Sequence, residues 1–305
     1  MKADIVVLNY NGKELLKECL PSMVEASKRS SQDCGVTVLD NNSTDGSIGL
    51  LREEFPDIRI YSAKENKVLC SYNEIAEVSD AEILIFMNND IKVDADFVKP
   101  LLKHFDDKDV FYVAPKVLNF DDTFNGGKSY LRMRYGIIKV EIDKNTYDEE
   151  GTTHTIACGA FRRKMFLDLG GYDSIYLPGY WEDTDLCYRG LMSGLKGVYE
   201  PRARIYHKEH ASFSKKFSWY QKMSIVDRNS FIFTWKNITD PILWCEHILF
   251  LIPRLFFSLI SGRSHFALGF LKAMGKIPEI YRRRLNDEDS YTVKDNELIS
   301  HNGAG

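Results

Sequence analysis

The chain has 305 residues, of which 44% are hydrophobic and 28% are charged, and its formal net charge is −4. This length supports one large domain with a sizeable core, or one domain with a smaller appendage. The acidic balance argues against nucleic acid as a partner, because nucleic-acid binding leaves a strongly basic footprint. Between residues 202 and 284, however, fifteen Lys and Arg residues stand against five Asp and Glu residues. This basic C-terminal part indicates either an anionic partner surface or a solvated basic face.

The six cysteines show neither a CxxC pair nor a zinc-ligand spacing. Scattered cysteines in apolar runs are typical of reduced, buried thiols in a cytosolic protein. The chain begins directly with a strand pattern at 5–8 rather than with a secretory signal. We therefore expect a cytoplasmic protein.

Short apolar runs alternate with helical patterns over the first ninety residues. Strands are predicted at 5–8, 36–39, 58–61 and 83–87, and helices at 15–23, 48–55 and 71–78. This alternation predicts an α/β fold with a mostly parallel sheet and right-handed crossovers.

The remainder of the chain is less regular. Residues 111–156 are predicted to be either an acceptor-side insertion or a long connector, and 181–194 to be a helix with acidic residues in its first turn.

The apolar run 242–260 is interrupted by charged residues and a proline, so an interfacial helix fits better than a clean membrane span. A helix packed on the body of the protein is the equal alternative. We predict a catalytic domain at 1–215, a helical aromatic and basic extension at 216–284 that associates with a membrane, and a disordered polar tail at 285–305.

Polar residues follow three of the predicted strands, at 9–11, 40–42 and 88–90. Ligands of open parallel sheets bind outside the carboxyl ends of the strands. One polar strand end is usually a turn, but three together indicate a binding site.

Asp90 closes the last of these segments. A hard divalent cation takes oxygen ligands and often binds through one or two carboxylates together with substrate phosphates. Asp90 suits that role, and the alternative is a turn-forming aspartate. His207 follows a predicted strand end and is a plausible Mn²⁺ ligand, whereas His154 and His210 are weaker candidates.

Three carboxylates, Glu182, Asp183 and Asp185, lie within four residues behind Trp181. Like charges at this spacing raise one another's pKa, so that one of them can act as a general base toward a hydroxyl. A helix N-terminal cap would account for one or two of these acids.

Taken in order, these segments resemble the family 2 inverting glycosyltransferases of the GT-A fold, in particular the bacterial rhamnosyltransferase-like branch. The resemblance covers roughly residues 3–215. Its motifs are VLNYNG at 7–12, VLDNNSTDGS at 38–47, EN at 65–66, NND at 88–90, CGA at 158–160, GGYD at 170–173, WEDTDLCYR at 181–189 and YH at 206–207.

The resemblance implies a set of side chains that bind the nucleotide sugar: Asn9, Asn11, Asp40, Asn66, Asn73 and Asn89. Within this set, Asp40 would contact the nucleotide base or ribose. The resemblance also implies that Asp90 and His207 hold Mn²⁺ or Mg²⁺. Asn88 stands where many members of the family carry an aspartate.

The resemblance further implies that Asp183 is the catalytic base and that Glu182 and Asp185 support the base or the acceptor. The donor would be a UDP- or dTDP-sugar and the acceptor a glycan. The apolar and basic C-terminal segment suggests that this glycan is linked to a lipid at the inner face of the bacterial membrane. One departure stands out, because Val68 replaces the glycine that the family usually carries after the third strand. Because of this change, one alternative to an active transferase is a weakened transferase that acts as a binding module. A nucleotidyltransferase is another, although the segment after the first strand lacks a glycine-rich phosphate loop.

Overall fold

A computed structural model describes residues 1–208 and 217–300 of the chain. Its strands are β1 (Lys2–Asn9), β2 (Asp33–Asp40), β3 (Arg59–Ser62), β4 (Ile83–Asn88), β5 (Ile91–Val93), β6 (Val110–Asn119), β7 (Phe124–Gly126), β8 (Ser129–Arg134), β9 (Ile137–Ile142), β10 (Gly151–Thr152), β11 (Gly159–Arg162), β12 (Lys196–His207) and β13 (Ile299–Ser300). Its helices are α1 (Lys13–Arg29), α2 (Ser47–Glu54), α3 (Tyr72–Val78), α4 (Val98–Leu102), α5 (Arg163–Asp168), α6 (Glu182–Met192), α7 (Trp219–Asn237), α8 (Pro241–Ile260), α9 (Ser264–Met274), α10 (Ile277–Glu288) and α11 (Asp295–Leu298).

The main sheet has the strand order β10-β12-β6-β11-β4-β1-β2-β3. Strands β3, β2, β1 and β4 are parallel, β6 and β12 are parallel to each other, and β11 runs antiparallel between β4 and β6. The predicted mostly parallel α/β sheet is therefore confirmed, and its first four strands lie within a few residues of the predicted positions.

Apolar side chains cover both faces of this sheet, as expected for strands that are buried on two sides. One buried cluster packs the sheet against α1, α2 and α4, and a second packs it against α3, α5 and α6. A third cluster joins the C-terminal helices to α6 and to the β8–β9 hairpin. Through this third cluster the C-terminal helices contact the elements that carry the candidate site.

Two regions differ from the sequence prediction. The segment 111–156 contains a central strand, β6, and the β8–β9 hairpin of a second sheet. Pro115 interrupts the strand pattern of β6, yet nearly the whole of this strand is buried. Because a fully buried strand shows no alternation of polar and apolar residues, its periodicity carries little signal.

The prediction of a disordered tail is wrong for residues 285–300. Asp295 is buried and accepts hydrogen bonds from Thr239 and from the backbone N–H of Asp240, and Ile299 pairs with Leu131 of β8. Polarity alone suggests disorder here, but these polar groups are satisfied inside the fold. The predicted boundary at 215/216 falls outside the described residues, so the division into 1–215 and 216–284 stays a prediction.

Helix α8 has the length and composition of a membrane-crossing helix, and 17% of its most apolar stretch is buried. Most residues of this apolar stretch are therefore not buried within the described fold.

Candidate active site

The parallel register brings the polar strand ends to one edge of the sheet. Asn9 pairs with Asp40, and Leu8 pairs with Asn88. The Asn9 amide donates to Asp40 Oδ1 at 3.0 Å and to Ser43 Oγ at 3.1 Å. The predicted convergence of these segments is therefore present in the structure.

Asn89 completes this cluster from β4, because its amide donates to Asn9 Oδ1 at 2.7 Å. The close approach depends on Gly12, where an added Cβ would lie 1.9 Å from Asn89 Nδ2. Position 12 therefore requires glycine because any side chain there would collide with Asn89, and not because of its backbone angles.

Asp40 and Asn9 are 2% and 0% exposed, respectively. The Asp40 carboxylate accepts from the Asn9 side chain and from the backbone N–H of Ser43. Asn11 is exposed, and its side-chain oxygen accepts from the backbone N–H of Thr44 at 2.7 Å. In this arrangement Asp40 and Asn9 form a buried floor, whereas Asn11, Ser43 and Thr44 form its rim.

Asp90 and His207 lie next to each other at the same edge. His207 pairs with Ile91 in the β5–β12 register, which puts its Nε2 atom 3.5 Å from Asp90 Oδ1. Asp90 is 8% exposed, and its Oδ1 atom accepts no hydrogen bond from any described residue. A buried carboxylate oxygen left in this state fits a cation ligand, and a carboxylate with an imidazole suits Mn²⁺.

Glu182 and Asp183 begin α6, where the positive end of the helix dipole favours acids. Burial raises the pKa of Glu182 to about 8, with a further increase from the negative charge of Asp183. Burial also raises the pKa of Asp183, although hydrogen bonds from Thr184 oppose this rise. Glu182 Oε2 is buried and accepts no hydrogen bond from the described part of the chain. At neutral pH Glu182 therefore holds a proton.

The buried thiol of Cys158 lies near enough to Asp90 and to Asp183 to feel the charge of both. Burial raises the pKa of Cys158 to about 12, and the negative charges of Asp90 and Asp183 each add to this increase. Both carboxylates therefore lie within electrostatic range of one buried group. The segments around 90 and 183 meet in a single neighbourhood although 93 residues separate them in the chain.

Asp185 lies inside the fold among polar and charged side chains. It is fully buried, and its carboxylate accepts hydrogen bonds from Tyr176, Arg189, Lys236 and Asn237. These partners hold its pKa well below the ordinary range despite the burial. Asp185 is therefore held in a buried network of ion pairs, and its predicted support of the base or the acceptor stays a prediction.

Asn73 and Asn66 also have local roles. The Asn73 side chain makes two hydrogen bonds of 2.9 Å with the backbone of Tyr172, which ties α3 to the 170–173 turn. Asn66 is exposed, and its Oδ1 atom accepts from the backbone N–H of Val68 at 3.0 Å. For Asn73 and for Asn66 alike, the predicted contact with the donor stays a prediction.

Val68 has a φ of 53°, in the left-handed region that a β-branched residue rarely adopts. Its carbonyl accepts from Asn41 Nδ2 at 3.2 Å, and Asn66 holds its N–H. The backbone therefore keeps the conformation suited to glycine although the side chain is valine. Strain of this kind costs on the order of 1–3 kcal/mol.

Sequence reasoning missed Asn229 of α7, which holds the loop in front of Glu182 and Asp183. Tyr180 and Trp181 both have left-handed backbones, with φ of 70° and 79°. The buried Asn229 amide donates to the carbonyls of Tyr176, Gly179 and Tyr180 at 2.7–2.8 Å. An asparagine inside a C-terminal helix gives no sequence signal for this role.

The other histidine and acidic groups do not add to this site. His154 is half-buried, its Nδ1 atom accepts from the backbone N–H of Leu131, and burial lowers its pKa. His210 lies outside the described residues. His104, Glu150 and Glu200 place possible ligand atoms within 4.8 Å of one another.

That histidine–glutamate cluster is already neutralised by cations. Lys103 Nζ lies 2.6 Å from Glu200, and Arg202 lies within 3.1 Å of both Glu200 and Glu150. We therefore assign the cluster to ion pairing. A cavity of about 490 Å³ next to Asn73 likewise contains neither Asp90 nor Asp183.

Comparison with known proteins agrees with this geometry. Residues 4–170 match the family model described as glycosyl transferase family 2. The O-antigen biosynthesis protein RfbC of Myxococcus xanthus is 25% identical over 226 residues, which are 69% of this chain and 18% of RfbC. The rhamnosyltransferase WbbL of Escherichia coli K12 is 26% identical over 177 residues, which are 52% of this chain and 66% of WbbL.

Among solved structures, S. aureus TarS residues 1–349 in complex with UDP-GlcNAc superimposes with a TM-score of 0.61 at 14% identity, covering 95% of this chain and 89% of that one. This likeness confirms the predicted GT-A fold. The match to the family model spans more than half of the chain, and the chain belongs to glycosyl transferase family 2.

Proposed function

We propose that the protein transfers a sugar from a nucleoside diphosphate donor, UDP- or dTDP-linked, to a hydroxyl group of a glycan, with inversion at the anomeric carbon. The observation that carries this proposal is that Asp90, which lies beside His207, and Asp183 are both close enough to the buried Cys158 thiol to raise its pKa. A base and a cation site in one neighbourhood are what such a displacement requires.

In the proposed step, Asp183 removes the proton of the acceptor hydroxyl. The hydroxyl oxygen then forms a bond to the anomeric carbon from the face opposite the diphosphate. The bond from that carbon to the diphosphate oxygen breaks, and its electron pair leaves with the nucleoside diphosphate. A raised pKa makes Asp183 a stronger base than an ordinary aspartate, and a general base contributes about 10²–10⁴-fold to the rate.

Because the raised pKa keeps Glu182 protonated and neutral, no second negative charge lies next to Asp183. The buried floor of Asn9 and Asp40 orients the loop at 43–45, and the exposure of Asn11 supports its proposed contact with the donor. Nucleotide contacts by Asn9, Asp40, Asn66 and Asn89 remain part of the proposal. Asp90 and His207 would hold Mn²⁺ or Mg²⁺, which offsets charge on the departing diphosphate when bound.

A titration of donor against protein tests the metal and donor assignments. Calorimetry with UDP- and dTDP-sugars in the presence of Mn²⁺ should detect binding to the wild-type protein, and removal of Mn²⁺ should weaken it. Asp90→Ala should weaken binding and abolish the effect of Mn²⁺, whereas the exposed Asp57→Ala should change neither. An unchanged Mn²⁺ response in Asp90→Ala would contradict the metal assignment.

We further propose that the acceptor belongs to bacterial cell-surface polysaccharide synthesis, as a lipid-linked glycan at the cytoplasmic face of the inner membrane. The names of RfbC and WbbL support this pathway class. The chain spans only part of both relatives, so their substrates enter as support for a proposal.

Val68 supports a second candidate, a weakened transferase that serves as a binding module. Its strained backbone lies where the resemblance places a close approach to the donor. An assay for hydrolysis or transfer of UDP- and dTDP-sugars separates the candidates, because a binding module would bind donor without releasing nucleoside diphosphate. Release of pyrophosphate from a nucleoside triphosphate and a sugar phosphate would instead indicate a nucleotidyltransferase.

A further inference from the structure

Helix α8 has its apolar side facing outward and its polar side facing the protein. We define its outer face as Ile242, Leu249, Ile252, Phe256 and Leu259, which recur at helical spacing and are 61–75% exposed. A helix packed on a soluble domain normally presents the opposite arrangement. The outer face therefore requires an apolar environment outside the described fold.

The charged residues of α8 are Glu246 and Arg254, and both are used to attach the helix to the β8–β9 turn. Glu246 Oε1 accepts from the backbone N–H of Gly136 at 3.1 Å, and Arg254 Nη1 donates to the carbonyl of Tyr135 at 3.0 Å. His247 lies between them, 2% exposed, and bonds the Gly136 carbonyl through Nδ1. These bonds fix the rotation of α8, so its apolar residues cannot turn inward.

The two helices that follow α8 in the chain also expose apolar and cationic side chains. Leu271, Tyr281 and Leu285 are 51–62% exposed on α9 and α10. Arg263, Lys272 and Arg282 are exposed and form no ion pair with any described residue, whereas the other cations of α9 and α10 and of the turn between them are paired with acids. The exposed Lys272 and Arg282 directly follow two of the exposed apolar residues in the chain. Apolar groups interleaved with cations match the boundary between acyl chains and anionic headgroups.

We infer that this surface docks on an anionic lipid bilayer and that α8 lies in the plane of the interface without crossing the bilayer. A crossing helix would place Glu246, His247 and Arg254 in hydrocarbon and would break their bonds to the turn, which leaves polar groups without partners where no water can replace them. An in-plane helix immerses only its outer face. A second copy of the chain could cover the same residues, but the exposed Arg263, Lys272 and Arg282, which form no ion pair with the described residues, favour a negatively charged partner.

The inference deepens the proposed function, since it names the surface that meets a membrane-bound acceptor. Lipid binding does not require turnover, however, so the two can fail separately. Wild-type protein that floats with vesicles but binds no donor would contradict the function alone. Protein that binds donor but floats with no vesicle would contradict the membrane surface alone.

The test is flotation of the full chain with vesicles of phosphatidylcholine, alone or mixed with phosphatidylglycerol. Wild-type protein should float with the mixed vesicles, less so at high salt, and alkaline carbonate should release it. Ile252→Gln with Phe256→Gln should reduce vesicle binding at least about tenfold, because two large apolar side chains that would enter the bilayer are lost. The matched control, Val78→Gln with Val140→Gln, alters exposed apolar residues elsewhere and should bind as the wild type does.

Three results would overturn the inference. The first is equal flotation of the α8 variant and the wild type, with melting curves confirming that both are folded. The second is retention of the protein on vesicles after the carbonate wash, which would indicate a crossing helix. The third is a wild-type dimer in light scattering that becomes a monomer in the α8 variant while neither protein floats, which would assign the surface to a second copy.

Discussion

Lys236 Nζ lies 2.9 Å from Asp185 Oδ1, and both side chains are almost completely buried. The same ammonium group is 3.0 Å from Asp173 and 3.0 Å from Asp287. One lysine of α7 thereby joins α6, the 170–173 turn and α10. Ion pairs thus connect the C-terminal helices to α6, the helix that begins with Glu182 and Asp183.

Replacing Asp185 with asparagine should destabilise the fold and leave the chemistry in place. The change leaves Lys236 and Arg189 buried without full compensation, and loss of one partner from such a pair costs about 3–5 kcal/mol. Urea unfolding should show this loss, while donor binding by the folded fraction stays near that of the wild type. Asp57→Asn, at an exposed position, is the control. A stable Asp185→Asn protein without turnover would return Asp185 to the catalytic group.

Glu182 should make the fold less stable as the pH rises. Its pKa is about 8 in the folded chain against an ordinary value of 4.5, so between these values the folded state holds a proton that the unfolded state has lost. The free energy of unfolding therefore decreases through this window, by on the order of 2–5 kcal/mol in total.

Glu182→Gln removes this titration and should be more stable than the wild type above about pH 8, yet similar to it near pH 4. Urea unfolding at both ends of the window measures the difference. Glu53→Gln, on the exposed side of α2, should follow the wild-type curve. Parallel curves for Glu182→Gln and the wild type would contradict the raised pKa.

Asn229→Ala should lower turnover more than donor binding. Three carbonyls of the loop before α6 lose their donor, so Asp183 is no longer held in position, and misplacement of about 1 Å can cost about 10²-fold in rate. The buried floor of Asn9 and Asp40 belongs to β1 and β2 and should be unaffected by this change. We therefore expect kcat to fall while the KM for the donor changes little. Asn286→Ala on exposed α10 is the control, and an equal change in both constants for Asn229→Ala would contradict a positioning role.

Val68→Gly should not destabilise the protein, unlike most replacements of valine by glycine. Relief of the left-handed backbone, about 1–3 kcal/mol, offsets the loss of side-chain burial and the added flexibility of glycine. Urea unfolding should show a loss below about 1 kcal/mol, whereas Val140→Gly in the β9 strand should lose more. If the strained carbonyl limits donor approach, the donor KM of Val68→Gly also falls. A large loss of stability would indicate that the valine side chain is required.

The strand ends could be predicted because each depends on a local pattern. A buried run followed by asparagine or aspartate indicates both the strand and the residue at its carboxyl end, and the parallel register then brings Asn9, Asp40 and Asn89 together. Asp183 and Asp90 needed the family resemblance as well, since three acids at a helix start are also typical of a cap.

The roles of Asp185, Asn73 and Asn229 could not be read from the sequence. Asp185 has the same local context as Asp183, and only the arrival of Lys236 from α7 distinguishes a buried ion pair from a base. Both polar groups of the Asn73 side chain form hydrogen bonds with the backbone of Tyr172, which lies 99 residues away in the sequence. Such assignments depend on contacts between distant segments, which local composition does not encode.

The most direct test is the turnover of Asp183→Asn with a UDP- or dTDP-sugar and a hydroxyl acceptor, measured beside donor binding on the same preparation. Asparagine keeps the shape of the side chain but cannot take the acceptor proton. Turnover should fall by about 10²–10⁴-fold while the donor Kd stays within about twofold of the wild type. Wild-type turnover in Asp183→Asn would contradict the assignment of Asp183 as the base and, with it, the proposed mechanism.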